Sequence, residues 1–372
     1  MNARQQPLRV LQLLPALDAG GVEKSTLEIA AALIAAGHEA TVVSAGGRMV
    51  TGLEALGARH ITLDIGRKSL AVLRHVRTLR QLFADYDIVH ARSRIPAWLA
   101  WLALRGMKTP PHFVTTVHGL NSPSRYSRIM TAGERVICVS NAVKAYVLQH
   151  YPQTDARKLV VIPRGISVAA FPRRAATDRN ARARFSGCWP RLAQAGPLIL
   201  MPGRGTRLKG HEDAIRLVQH LKADNLHAVL WMPGAEDPKR AGYIAELETL
   251  AATLGVAEQV IITPPVADVA DAYAASDLVL QLSRKPESFG RTVVEALSVG
   301  VPVLGWDHGG VGEIFQSIFP EGAVPCFATD VLTHKALSFL KAPPQPPASI
   351  PYNLGSMQSA TLEVYDDLQH TN

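Results

Sequence analysis

Short runs of β-branched and other apolar residues recur along this chain, and segments with helical spacing separate them. In the first half the runs are Leu8–Leu13, Glu39–Ser44, His60–Leu63, Asp87–His90, His112–Thr116 and Arg135–Val139. Helices are predicted at Val22–Ala36, Thr51–Leu56, Ser69–Phe83, Pro96–Leu104 and Asn141–His150. The second half repeats the alternation, with strands predicted at Pro197–Met201, Ala228–Met232, Gln259–Thr263 and Leu278–Leu282. Helices are predicted there at His211–Lys222, Pro238–Leu254 and Val266–Ala275. Strands joined by helical crossovers run parallel, and a parallel sheet needs helices on both faces. Ligands then bind at the carboxyl ends of the strands. With 372 residues the chain supports two such cores. The natural crossover is Leu159–Pro172, where a strand ends at Pro163 and Gly165 and Pro172 bracket an exposed connection. The expected class is α/β: two doubly wound, Rossmann-like parallel-sheet domains.

Composition narrows the function. Apolar residues make up 47% and charged residues 19%, and no apolar run approaches the ~20 residues that span a bilayer. Pro15 and Asp18 interrupt the leucine-bearing start, so it reads as a first strand rather than a signal peptide. Three scattered cysteines, Cys138, Cys188 and Cys326, fit neither a disulfide framework nor a zinc site, and fit a reducing compartment. The net charge of +8 is concentrated: from Arg67 to Lys144 thirteen basic residues face only Asp85, Asp87 and Glu134. Such a region attracts anionic lipid headgroups or a phosphorylated substrate. Nucleic acid is disfavoured, because no binding motif or aromatic–basic interleaving is present.

Several strand ends carry polar groups. The richest is the stretch Pro286–Glu313, PESFGRTVVEALSVGVPVLGWDHGGVGE. A short helix is predicted from Arg291 to Val299, with Gly300 at an αL stop and Pro302 barring continuation. The run Val301–Leu304 then reads as a strand, followed by a glycine-rich turn at Gly309–Gly312. The backbone N–H groups from Ser288 through Phe289, Gly290 and Arg291 to Thr292 form an anion site suited to phosphate. Glu287 and Glu295 flank it and suit uncharged hydroxyls. The second end is PGRGTRLKG, where Gly203 relaxes a turn and Arg204 and Lys209 converge on a diphosphate, the arginine as a fork and the lysine as a point charge. Third, Gly20 and Gly21 open the turn A-G-G-V-E-K-S. A P-loop is excluded there because Glu23 precedes the lysine, and a carboxylate in a phosphate cradle would repel the ligand. Fourth, His118 lies just beyond a strand in TTVHGLN; Arg92 and Arg94 follow another strand and are acceptor-side candidates.

The phrases P-E-S-F-G, V-V-E-A, G-V-P-V and G-G-V-G-E together resemble the donor-binding signature of the retaining glycosyltransferases of the GT-B fold, family 4. G-R-x-x-x-x-K-G, the G-G-V-E turn and the histidine at His118 are similar to further elements of that family. Arg164 departs from it, standing where the family often carries asparagine. The resemblance implies two domains facing a central cleft: an acceptor-binding domain over 1–168 and a nucleotide-sugar domain over 169–353, with a helix over 354–372 packing back on the first. It implies that Arg204, Lys209 and the 288–292 amides stabilise the departing diphosphate. Glu287 would polarise the transferred sugar, Glu295 would hold the ribose, His118 would meet the sugar from the first domain, and the turn at Pro264 would lie against the base. No metal and no cofactor beyond a UDP- or GDP-type donor is expected. The expected acceptor is a lipid-linked saccharide of a lipopolysaccharide or other cell-envelope glycan, met by a cytoplasmic enzyme on the anionic inner membrane face. A sugar-nucleotide 2-epimerase and a non-catalytic nucleotide-sugar binding protein are the alternatives.

Overall fold

The computed structural model describes residues 6–18, 20–174 and 177–370. Two compact units form: Met1–Gly165 with Leu354–Asn372, and Ile166–Asn353.

The first unit contains β1 (Arg9–Leu13), β2 (Glu39–Ser44), β3 (Arg59–Thr62), β4 (Ile88–Ala91), β5 (His112–Val117), β6 (Arg135–Cys138) and β7 (Leu159–Val161). These make one parallel sheet in the order β3-β2-β1-β4-β5-β6-β7. The order reverses between β1 and β4, the place where doubly wound sheets open for ligands. Val10, Val42, Ile88, Val114 and Ile137 point into a core shared with Ile29 and Leu33 of the helix Gly21–Ala35. The helix Leu354–Gln369 adds Met357, Val364, Tyr365 and Leu368 to that same core. Burying four such side chains stabilises its docking by at most about 6–12 kcal/mol before ordering costs. Tyr365 also donates or accepts at His90 Nδ1 over 2.7 Å, and His90 Nε2 meets Thr116 Oγ1 at 2.7 Å. His90 is thus a satisfied core histidine.

The second unit contains β8 (Leu198–Leu200), β9 (Val229–Pro233), β10 (Val260–Thr263), β11 (Leu278–Gln281), β12 (Val303–Trp306) and β13 (Ala323–Val324). They form a parallel sheet in the order β10-β9-β8-β11-β12-β13, reversing between β8 and β11. The chain enters and leaves this unit side by side, since Ile166 bridges Asn353 and Ile166 N donates to Tyr352 O at 3.0 Å.

Two local expectations are corrected. Ser69–Phe83 is not one helix: a 3-10 segment Leu70–Arg74 precedes the α-helix His75–Phe83. Ser69 Oγ accepts from Ala71 N at 3.3 Å, and of the 3-10 residues only Val72 is buried, while Leu70 is 85% exposed. That turn lacks the packed face that would hold a regular α-turn. Gly309–Gly312 is not a turn either, but opens the helix Gly309–Ile318. Its glycines serve close approach instead. A Cβ on Gly310 would lie 2.4 Å from Phe289 Cα, and Gly310 N donates to Glu287 O at 2.7 Å.

Candidate functional site

In the second unit the sheet reversal places the loops after β8 and β11 next to each other. They are joined backbone to backbone: Arg284 N donates to Leu208 O at 2.8 Å, and a Cβ on Gly210 would lie 2.1 Å from Leu282 O. That contact brings Lys209, in the short turn Arg207–Lys209, to Glu287 from 78 positions away. Lys209 Nζ lies 2.5 Å from Glu287 Oε1, and Ser283 Oγ donates to the same oxygen at 2.5 Å. Burial pushes the Glu287 carboxyl up, but the Lys209 charge and hydrogen bonds from Lys209, Ser283 and Gln281 outweigh it, so its pKa is lowered. Glu287 therefore stands ionised, and Lys209 is compensated by it. The Glu287 carbonyl is fixed separately by Gly310 N, so backbone and side chain of this residue are both held.

The helix Arg291–Val299 starts at this point. Its N-cap is Gly290, at φ 119, and no side chain caps the first turn. Its end falls at Gly300, in the αL conformation. An uncapped N-terminus presents N–H donors and a partial positive charge. One turn in, Glu295 Oε1 accepts from Arg291 Nε at 3.0 Å and Oε2 accepts from the Tyr273 hydroxyl at 3.0 Å. Burial and the adjacent Glu295 charge raise Tyr273 well above its ordinary value, so it stays a donor. Both carboxylate oxygens are thus aimed by protein donors.

Gly203 follows β8 at φ 146, and its N donates to Pro233 O at 3.0 Å. Arg204 is exposed, and its side chain has no hydrogen bond among the described residues. It takes no part in the Lys209–Glu287 pair. Pro264 is exposed after β10, and its carbonyl accepts from Thr263 Oγ1 at 3.2 Å, which itself accepts from Trp231 Nε1 at 3.0 Å. The sequence carries no signal for Ser283 or Tyr273 in these roles.

In the first unit the corresponding reversal gathers a different group. Ala19 lies outside the described residues. Gly20, at φ 148, is the uncapped N-cap of the helix Gly21–Ala35, and a Cβ there would lie 2.5 Å from the Glu23 carboxylate. A Cβ on Gly21 would meet nothing within 4 Å, so the space over it is open. Arg92, directly after β4, is 3% exposed. It donates to Gln12 Oε1 at 2.6 Å and to Ser25 Oγ at 2.5 Å. Arg164 donates to the same Ser25 hydroxyl and to His118 Nδ1. A guanidinium can only donate, so His118 Nδ1 accepts and the ring proton sits on Nε2. Burial, then the charges of Arg164 and Arg92, hold His118 well below its ordinary pKa. It is a neutral imidazole. The sequence flagged His118 but gave Arg164 only as a departure from pattern.

The basic surplus between Arg67 and Lys144 does not form one solvated face. Arg92 is buried, Arg80 donates to Ala103 O and Leu102 O, and Arg105 stacks over Trp101 with its Cζ 4.4 Å from the ring. No helix among the described residues is long and apolar enough to cross a membrane.

A family model described as Glycosyltransferase Family 4 matches residues 19–170, and one described as Glycosyl transferases group 1 matches residues 190–348. The D-inositol 3-phosphate glycosyltransferase of Xylanimonas cellulosilytica is 28% identical over 270 residues, 66% of this chain. The aligned part spans 63% of that relative, less than two thirds of its length. Among solved structures, a glycosyltransferase from Rickettsia africae ESF-5 superposes with a TM-score of 0.87 at 28% identity, covering 99% of this chain and 100% of that one. Anabaena HepE in complex with UDP and glucose gives 0.81 at 20% identity, covering 96% of this chain and 99% of that one, a likeness of fold. Each unit is a parallel α/β domain of the kind found in GT-B glycosyltransferases.

Proposed function

The chain carries a Glycosyltransferase Family 4 domain followed by a glycosyl transferases group 1 domain, and from that premise we propose that it transfers a sugar from a nucleotide diphosphate to a hydroxyl acceptor. The observation that carries this reading is the Lys209–Glu287 pair beside the uncapped N-terminus of Arg291–Val299. Lys209, Arg204 and the first-turn amides receive the diphosphate and stabilise the charge that develops on it as the glycosidic bond breaks. Glu287, ionised and fixed at both ends, accepts from hydroxyls of the transferred sugar. Glu295, oriented by Arg291 and Tyr273, accepts from the ribose, and the stiff turn at Pro264 bounds the base. His118, neutral with its proton on Nε2, is a donor to an uncharged group. The uridine nucleotide in HepE supports a UDP-linked donor.

The transfer is retaining and needs no divalent metal, because the cationic and amide donors take the Lewis-acid role. The acceptor is a saccharide of an envelope glycan, carried on a lipid, and the protein works in the cytoplasm against the inner membrane face. Incubation with UDP-sugars and candidate acceptors tests the transfer and its stereochemistry. Transfer with the donor's anomeric configuration kept is the expected result. Epimerised free sugar nucleotide, or donor binding with no transfer to any hydroxyl acceptor, would refute it.

A further inference from the structure

A cavity of about 550 Å³ lies in the first unit between the helix Arg94–Leu104, the 3-10 turn Ser127–Thr131 and the segment from His150 to Lys158. That volume is well within the roughly 300–1,000 Å³ of small-molecule sites. Trp98 and Trp101, one turn apart on the helix, form one wall. Their rings meet edge to face at 86°, with centroids 5.5 Å apart. Arg125, Arg128 and Lys158 bring positive charge to the other walls. Arg125 and Arg128 are exposed and have no carboxylate partner among the described residues. Asp155, the carboxylate of the lining, is taken up by Arg157, whose Nε and Nη2 donate to it at 3.1 and 2.9 Å.

The walls are held by the protein's own bonds. Trp98 Nε1 donates to Tyr126 O at 3.0 Å, Ser124 N to the Tyr151 hydroxyl at 3.4 Å, and Thr154 N to Tyr151 O at 2.9 Å. A wall ordered in advance costs a ligand little side-chain and loop entropy. Lys158 directly precedes β7, and the 3-10 turn leads into β6, so the cavity faces the amino ends of those strands. His118 and Gly20 stand at the opposite, carboxyl edge of the same sheet. The six residues of β5 separate the two edges by roughly 20 Å. The cavity is thus distinct from the group gathered at the reversal of the first sheet.

We propose that this cavity is a second saccharide site, taking an acidic pyranose of a glycan chain. An indole corner matches the flat, apolar C–H face of a pyranose ring, and Gln153 and Thr154 stand in the lining for its hydroxyls. The guanidinium groups of Arg125 and Arg128 suit a carboxylate or phosphate, which an arginine grips as a fork. A neutral sugar would leave both arginines unused, and a bare inorganic anion would leave the indoles unused. The proposal rests on the transfer reading above and adds a place where the glycan is held far from its reacting hydroxyl. Two contacts on one chain act at high effective concentration, so long acidic acceptors gain affinity that short ones lack.

The test uses the full chain with tetragalacturonate as probe, read by intrinsic tryptophan fluorescence at matched ionic strength. A saturable change is expected in the wild type, and none with the neutral methyl ester of the same oligomer. Trp101→Ala should abolish the change, and Arg128→Gln should weaken binding by about fivefold or more. Arg128→Gln, at an exposed position, serves should Trp101→Ala not fold. Galacturonate and a hexose phosphate, each as a single unit, then separate carboxylate from phosphate, and either one acting through Arg128 supports the site. Equal binding of the acid and its ester, or equal affinity in wild type and both variants, would overturn it. Saturating UDP should leave the saccharide bound; competition would place the oligomer in the donor site and overturn the assignment. Arg128-dependent adhesion to anionic phospholipid vesicles, with no saccharide bound, would make the face a membrane contact and overturn it too. UDP affinity, measured alongside by calorimetry, should be equal in wild type and variants, so a failure here is distinct from a failure of the donor reading.

Discussion

Replacing Glu287 with glutamine removes one charge and keeps the shape. The carboxylate oxygen it alters receives Lys209 Nζ and Ser283 Oγ, each at 2.5 Å. A hydrogen bond to a charged group contributes about 1.5–3 kcal/mol when well buried. Here both members of the ion pair are 27% exposed, so solvent screens them and about 2 kcal/mol for the whole change is the reasonable figure. For a domain of this size that lowers the melting temperature by about 4–8 °C. The sign with pH follows from the lowered pKa of Glu287. Its contribution is complete above the unfolded value of about 4.3 and is lost as pH falls through the lower folded value. The gap between wild type and variant should therefore close below about pH 4. Turnover behaves differently. Losing a carboxylate that engages the sugar should lower kcat by about 10²–10³-fold, while UDP alone binds within about threefold of wild type, because Lys209 is released rather than removed. Calorimetry for UDP and an initial-rate assay with the sugar nucleotide read these two arms. Unimpaired turnover, or loss of UDP affinity in step with turnover, would refute the assignment of Glu287 to the sugar.

Lys209→Met should do the converse, weakening UDP by about 1.5–3 kcal/mol, some ten- to 150-fold in the dissociation constant, as titration calorimetry would show. Tyr273→Phe unties one oxygen of Glu295 and should raise the donor KM several-fold with kcat little changed. Histidines His90 and His118 are neutral in the folded first unit, held down by burial and the arginine charges, and protonate once unfolded. The unfolded chain thus binds more protons below pH 6.5, and stability should fall on acidification by up to about 1.4 kcal/mol per pH unit for each. Urea unfolding at pH 7.5 and 5.5 measures this, and His118→Asn should remove about half of that slope. Turnover should survive excess EDTA, and loss restored by a divalent ion would contradict the metal-free proposal.

The alternation of apolar runs and helical spacing made the α/β class readable, and Gly300 with Pro302 marked the end of Arg291–Val299 to the residue. What the sequence hid depends on partners distant along the chain. Gly309–Gly312 looks like a turn locally, yet it is helical because Phe289 and Glu287 press on it from twenty positions earlier. Lys209 and Glu287 were each visible as candidates, but their ion pair depends on how the loops after β8 and β11 touch. Ser283, Tyr273 and Ser25 have no pattern of their own; each is a hydroxyl that matters only for what stands opposite. Arg164 appears in sequence as a mismatch and in the fold as the donor that fixes the tautomer of His118.

The most direct measurement is a crystal structure with an intact sugar nucleotide bound. Diphosphate oxygens are expected within hydrogen-bond distance of Lys209 Nζ and the amides opening Arg291–Val299, with the ribose on Glu295 and the hexose on Glu287. A nucleotide seated elsewhere, with Lys209 and Glu287 still closed on each other, would contradict that placement.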